Sequence, residues 1–179
     1  AKDFNDNFKV AKQTFEEIEE YTKIDLRKII FENIENKLDL TQYTQVCIFA
    51  SSCAIFKTYV SQNDVKDINV MLGHSLGEYT ALACGNKINL KECSLILKKR
   101  GELMNNAVAP NQTGMAALIG KNSDYVEKII KDNNLNIEIA NDNSPLQVVI
   151  SGMKKELQNS KDLFLSNDIK KFIELNVSA

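Results

Sequence analysis

Apolar residues return every three or four positions across residues 8–22, at Phe8, Ala11, Phe15, Ile18 and Tyr21. That spacing predicts an amphipathic helix. Residues 24–31 predict a second, short helix. Residues 43–60 are apolar on most faces, through Val46, Cys47, Ile48, Phe49, Ala50, Ala54, Ile55 and Phe56. A helix apolar all round is a buried one. The run Ile68-Asn69-Val70-Met71-Leu72 predicts a strand, and Tyr79-Thr80-Ala81-Leu82-Ala83-Cys84-Gly85 a helix. A buried helix beneath such a strand predicts an α/β core. Residues 89–107 predict a further helix carrying Leu90, Leu95, Ile96, Leu97, Leu103 and Met104.

Pro110-Asn111-Gln112-Thr113-Gly114 then breaks the pattern and predicts a boundary. Beyond it strands are predicted at residues 115–119, 136–140, 147–150 and 171–175. Helices are predicted at residues 125–132, with Val126, Ile129 and Ile130 inward, and at 154–165. The order β-α-β-β-α-β is the ferredoxin-like split. The predicted organisation is therefore a large α/β lobe over residues 1–110 and a ferredoxin-like small lobe over 111–175, with 176–179 starting a return to the large lobe.

The chemistry-bearing motif lies between the predicted strand at 68–72 and the helix after it: Gly73-His74-Ser75-Leu76-Gly77. Strand, Gly-x-Ser-x-Gly, helix is the pattern of a nucleophile elbow. It presents the Ser75 hydroxyl on a sharp turn and sets the Leu76 amide where it can donate to a developing oxyanion. Gly73 and Gly77 are both expected where strand and helix approach too closely for side chains. The bland alternative is a Gly-bounded turn with Ser75 as an N-cap. The reaction class this implies is acyl transfer.

Bulk composition narrows the field. The chain has 179 residues, a formal net charge of −2 and 44% hydrophobic residues. The charge makes no case for nucleic acid, and no apolar run is long enough to cross a bilayer. Residues 1–9 are polar and charged, unlike a signal peptide. Cys47, Cys53, Cys84 and Cys93 form no Cys-x-x-Cys pair and read as buried free thiols. The one histidine, His74, rules out a His-rich metal site, and no metal is expected.

These residues have a family likeness. Gly73-His74-Ser75-Leu76-Gly77-Glu78-Tyr79 resembles the signature of malonyl-CoA:acyl-carrier-protein transacylases, the acyltransferases that load malonate in fatty-acid synthesis. Lys99-Arg100-Gly101-Glu102-Leu103-Met104 resembles that family's arginine segment. Thr113-Gly114-Met115-Ala116-Ala117-Leu118-Ile119-Gly120 resembles the strand that follows, Asn141-Asp142-Asn143-Ser144-Pro145-Leu146-Gln147-Val148-Val149-Ile150-Ser151-Gly152 a later block, and Gln42-Tyr43-Thr44-Gln45 the start of the helix before the elbow strand. The blocks stand in family order over nearly the whole chain.

The resemblance implies a ferredoxin-like lobe inserted into a hydrolase-like parallel-sheet core, here partial, with the active site in the cleft between. It implies transfer of malonyl from malonyl-CoA to the phosphopantetheine thiol of acyl carrier protein, by ping-pong exchange through an ester on Ser75. Coenzyme A thioester and phosphopantetheine enter as substrates, and no cofactor is bound. Arg100 is expected to clamp the malonyl carboxylate with its guanidinium fork; the plainer reading of Lys98-Lys99-Arg100 is a solvated helix face. Gln45, Asn143 and Met104 are expected around the site, with capping as the alternative role for Gln45 and Asn143. His74 is expected to pack and hydrogen-bond under the turn, not to act as the base, and Glu78 to favour the following helix N-terminus. Lys98 and Lys99 are candidate docking cations for an acidic carrier.

In the family the catalytic histidine follows the small lobe's last strand, and an oxyanion loop precedes the segment matched by Ala1. The chain is thus expected to be an internal section and not a self-sufficient catalyst. The rival readings are a serine hydrolase or thioesterase with the same elbow, and a carrier-binding fragment without turnover. Cytoplasm is the default compartment; a plastid or mitochondrion fits if a leader was removed.

Overall fold

The computed structural model describes residues 1–108 and 112–175. Two compact units divide the chain, Ala1–Asn105 and Asn106–Ala179. The break expected at Pro110 and Asn111 and the return expected at 176–179 lie outside the described residues.

The first unit is helical: α1 (Lys2–Asn7), α2 (Lys9–Thr22), α3 (Leu26–Glu32), a 3-10 segment (Ile34–Asp39), α4 (Thr41–Gln62), α5 (Leu76–Cys84) and α6 (Leu90–Asn105). Its axis is α4, which buries Val46, Cys47, Phe49, Ala50, Cys53 and Ala54. Around it pack Ala11, Phe15 and Ile18 of α2, Leu26 and Ile29 of α3, and Cys93 and Leu97 of α6. Of the spacing that predicted the 8–22 helix, α2 buries Ala11, Phe15 and Ile18, while Phe8 precedes the helix and is exposed and Tyr21 is half-buried. Gly101 lets α6 cross α4 closely: a Cβ there would meet the Gln42 Cα and the Thr41 and Gln42 carbonyl oxygens, each at 3.0 Å. Glycine in a helix interior costs about 1 kcal/mol against alanine, so this one is explained by the crossing. The Lys98 ammonium donates to the Thr22 carbonyl at 2.8 Å, capping the end of α2. That bond makes Lys98 a structural tie, while Lys99 lies 3.8 Å from Glu102 one helical turn on.

One expected element is absent. Residues 68–72 form no strand, and the first unit contributes none to a sheet among the described residues. The parallel sheet expected in this lobe is therefore not present there. A strand is held by ladder bonds to a neighbour, and the described residues give this run none. Its side chains stay outward, with Val70 74% and Leu72 86% exposed.

The second unit runs β1 (Thr113–Ile119), α7 (Ser123–Asp132), β2 (Ile137–Ser144), β3 (Gln147–Met153), α8 (Lys154–Ser166) and β4 (Lys171–Leu175). The strands form one antiparallel sheet in the order β2-β3-β1-β4. Ala116 faces Ile150 and Leu118 faces Val148 across β1 and β3. These four join Val126, Ile129, Leu157, Phe164 and Phe172 in one core. The Asn122 side chain caps α7, accepting from the Tyr125 amide at 3.1 Å.

Asn141–Asn143, beyond the end of the strand expected at 136–140, is strand as well. β2 continues to Ser144, and the turn falls on Pro145 and Leu146. Two register shifts, between Ile139 and Asn141 and between Asp142 and Ser144, leave Ala140 and Asn143 without a facing partner on β3. Such bulges let poor strand formers stay in a ladder. No helix among the described residues is long and apolar enough to cross a membrane.

Candidate active site

The turn before α5 is strained at one residue. Ser75 adopts φ 53° and ψ −114°, a region that costs an L-residue roughly 1–3 kcal/mol. Its hydroxyl makes no capping bond to α5, so the plain N-cap role is not the one it plays. The turn is closed by the Gly77 amide donating to the His74 carbonyl at 2.9 Å and the Glu78 amide to the Ser75 carbonyl at 3.2 Å. Leu76 is the first residue of α5, and the first amides of a helix have no acceptor inside it.

The two glycines are not equivalent. A Cβ on Gly73 would lie 2.1 Å from the Gly77 carbonyl carbon and oxygen, whereas one on Gly77 meets nothing within 4 Å. The expectation that both are needed for close approach holds for Gly73 alone. Accordingly, Gly73→Ala is expected to displace the turn and to cost about 2 kcal/mol or more. Gly77→Ala, inside α5, is expected to leave stability unchanged or raise it by up to about 1 kcal/mol. Thermal unfolding midpoints of the full-length variants check both; equal losses would contradict the geometry.

Three side chains from two helices form a chain of contacts that ends on Ser75. The Arg100 Nη2 donates to Ser75 Oγ at 3.0 Å. Its Nη1 donates to Gln45 Oε1. Gln45 is buried, and its Nε2 reaches Met104 Sδ at 3.1 Å. Gln45 thus holds the guanidinium from α4, Arg100 and Met104 project from α6, and the Gly101 crossing brings the two helices together. Arg100 is half-buried, not a fully solvated helix face.

His74 is exposed, lining an open cleft of about 800 Å³ with Ser75, Leu76, Ile48, Phe56 and Cys84. Its side chain does not pack beneath the turn as expected. Asn143 is exposed at the second β2 bulge, in the second unit. Glu78 lies in the first turn of α5. Thr80 was not marked by any sequence signal: it lines the same cleft, and its Oγ1 is buried without a partner among the described residues. A helical threonine ordinarily bonds back to the preceding turn, so composition alone conceals it. No group of three or more His, Cys, Asp or Glu among the described residues could hold a metal.

Comparison with known proteins gives the family of the chain. A family model described as acyl transferase domain matches residues 3–177. The malonyl CoA-acyl carrier protein transacylase of Bacillus subtilis is 33% identical over 182 residues, covering 99% of this chain and 56% of the relative. The crystal structure of an acyl-carrier-protein S-malonyltransferase from Bartonella henselae superposes with a TM-score of 0.89 at 34% identity, covering 99% of this chain and 58% of that one. A type II polyketide malonyl-transacylase solved with its holo acyl-carrier protein gives a TM-score of 0.89 at 32% identity, over 98% of this chain and 57% of that one. The chain spans a little over half the length of these relatives. It belongs to the acyl transferase domain family.

Proposed function

We propose that the protein carrying this chain is an acyltransferase that moves malonyl from malonyl-CoA to the phosphopantetheine thiol of acyl carrier protein through an ester on Ser75. One observation carries the reading: a guanidinium sits 3.0 Å from the hydroxyl of a strained elbow serine. Ser75 Oγ attacks the thioester carbonyl carbon, and the Leu76 amide donates to the oxyanion that forms. Collapse expels the coenzyme A thiol and leaves the malonyl ester. The carrier thiol then attacks the same carbonyl and releases Ser75. Arg100 holds the substrate carboxylate, with Gln45 and Met104 fixing its orientation.

The proton of Ser75 needs an acceptor. Arg100 is a donor, and the family resemblance assigns that acceptor to a histidine beyond the small lobe. The same resemblance makes the first unit part of a hydrolase-like core over 1–110 and the second a ferredoxin-like lobe over 111–175; the sheet order β2-β3-β1-β4 supports the second of these alone. Coenzyme A and phosphopantetheine are substrates in this scheme, no bound cofactor takes part, and cytoplasm is the compartment.

Incubating the full-length protein with malonyl-CoA and a holo carrier tests the reading. Malonyl is expected on the carrier thiol, faster than free malonate appears. Release to water in preference to thiol would favour a hydrolase, and absence of any acyl adduct a carrier-binding protein without turnover.

A further inference from the structure

Cys53 on α4 and Cys84, the last residue of α5, face each other with their sulfurs 4.0 Å apart, and both are free thiols. They lie 31 residues apart in sequence, so packing of α5 on α4 makes the pair. The two differ in access. Cys53 is 1% exposed. Cys84 is half-buried and lines two cavities at once, the cleft holding Ser75 and a second of about 550 Å³ beside Lys57. Cys53 also lines the second cavity, but at 1% exposure it offers an incoming oxidant far less surface than the half-buried Cys84.

We propose that Cys53 and Cys84 are a reversible disulfide site, in which Cys84 attacks the oxidant, Cys53 resolves the intermediate, and closure ties the end of α5 to α4. With a small disulfide RSSR as oxidant, the Cys84 thiolate attacks one sulfur; the Cys84–SR bond forms and one thiolate leaves. Cys53 gives its proton to that thiolate and attacks the Cys84 sulfur. The Cys53–Cys84 bond forms, and the second thiolate leaves and takes up the proton lost when Cys84 ionised. The two protein thiols lose two electrons, and one RSSR becomes two RSH. The sulfurs approach by about 2 Å to reach a bond of about 2.05 Å.

Reactivity follows thiolate character, and the surroundings sort the four thiols. Cys84 is held below the ordinary thiol range, first by its hydrogen bond with Cys53 and also by the Lys57 charge. Cys53 is raised, first by the same bond. Burial pushes Cys47 up to about 12 and raises Cys93. The attacking role falls to the more accessible Cys84 and the resolving role to the buried Cys53. The site stands on this packing alone, whatever acyl chemistry Ser75 carries.

The test is to incubate the folded full-length protein with oxidised glutathione, block remaining thiols and map peptides by mass spectrometry. A Cys53–Cys84 linked pair is expected, lost on reduction, with Cys47 and Cys93 still alkylated. Cys53→Ser removes the resolving sulfur and keeps a hydroxyl at the position that bonds Cys84. It is expected to trap glutathione on Cys84 at a level at least about tenfold above Cys47 or Cys93. The proposal is overturned if Cys53 and Cys84 remain alkylatable in the parent to the same extent as Cys47 and Cys93, or if Cys53→Ser traps glutathione no better at Cys84 than at the other thiols.

Discussion

Ser75→Ala in the full-length protein is expected to abolish the malonyl adduct seen by intact mass and to lower transfer by at least about a thousandfold, roughly 4 kcal/mol of transition-state stabilisation. The loss is expected to be chemical, because the hydroxyl caps no helix and its one side-chain partner among the described residues is Arg100. The backbone supplies an independent check. At φ 53° and ψ −114° any side chain is strained, by roughly 1–3 kcal/mol. Ser75→Gly removes that strain and adds about 0.4–1 kcal/mol of unfolded-state entropy. The glycine variant is therefore expected to unfold at a slightly higher temperature than the parent while forming no adduct. A residue that lowers stability where glycine would raise it is explained by its hydroxyl. An adduct persisting on Ser75→Ala would discard the assignment.

The parts of the site that were legible in sequence are those written locally. Gly73-His74-Ser75-Leu76-Gly77 specifies a turn from five consecutive residues, and the turn is there. Helices with a 3.6-residue stripe, such as α2 and α7, were equally legible. What failed depended on a partner elsewhere. The run 68–72 has strand composition, but a strand exists only as part of a ladder. Asn141-Asp142-Asn143 has turn composition, but pairing with β3 overrides it at the cost of a bulge. Gln45 and Arg100 were each legible through the family blocks, yet their bond spans 55 residues, and no local pattern encodes it. The contact between Cys53 and Cys84 is of the same kind: sequence showed two apolar thiols, and only packing made them neighbours. Gly77 shows the converse error, since a glycine in a motif was read as a steric necessity where the space is open.

Arg100→Ala is expected to reduce malonyl loading about a hundredfold and acetyl loading about tenfold or less, so the ratio between the two substrates carries the result. The geometry dictates this form of test. A guanidinium has five N–H donors; one on Nη1 is engaged by Gln45 and one on Nη2 by Ser75. Three remain to hold a carboxylate, enough for two parallel bonds. Because Nη2 also reaches the nucleophile, removing the side chain should slow every acyl donor somewhat. Only the carboxylate bonds distinguish malonyl from acetyl, at about 1.5–3 kcal/mol for a hydrogen bond to a charged group. Arg100→Lys keeps the charge but cannot keep the fork, Gln45 and Ser75 together, and should recover only part of the malonyl preference. Gln45→Leu leaves the guanidinium present but unheld, and should weaken malonyl loading by several-fold with little effect on acetyl. Equal losses on both donors in Arg100→Ala would mean that Arg100 serves Ser75 and not the carboxylate, and the clamp would have to be sought on another residue.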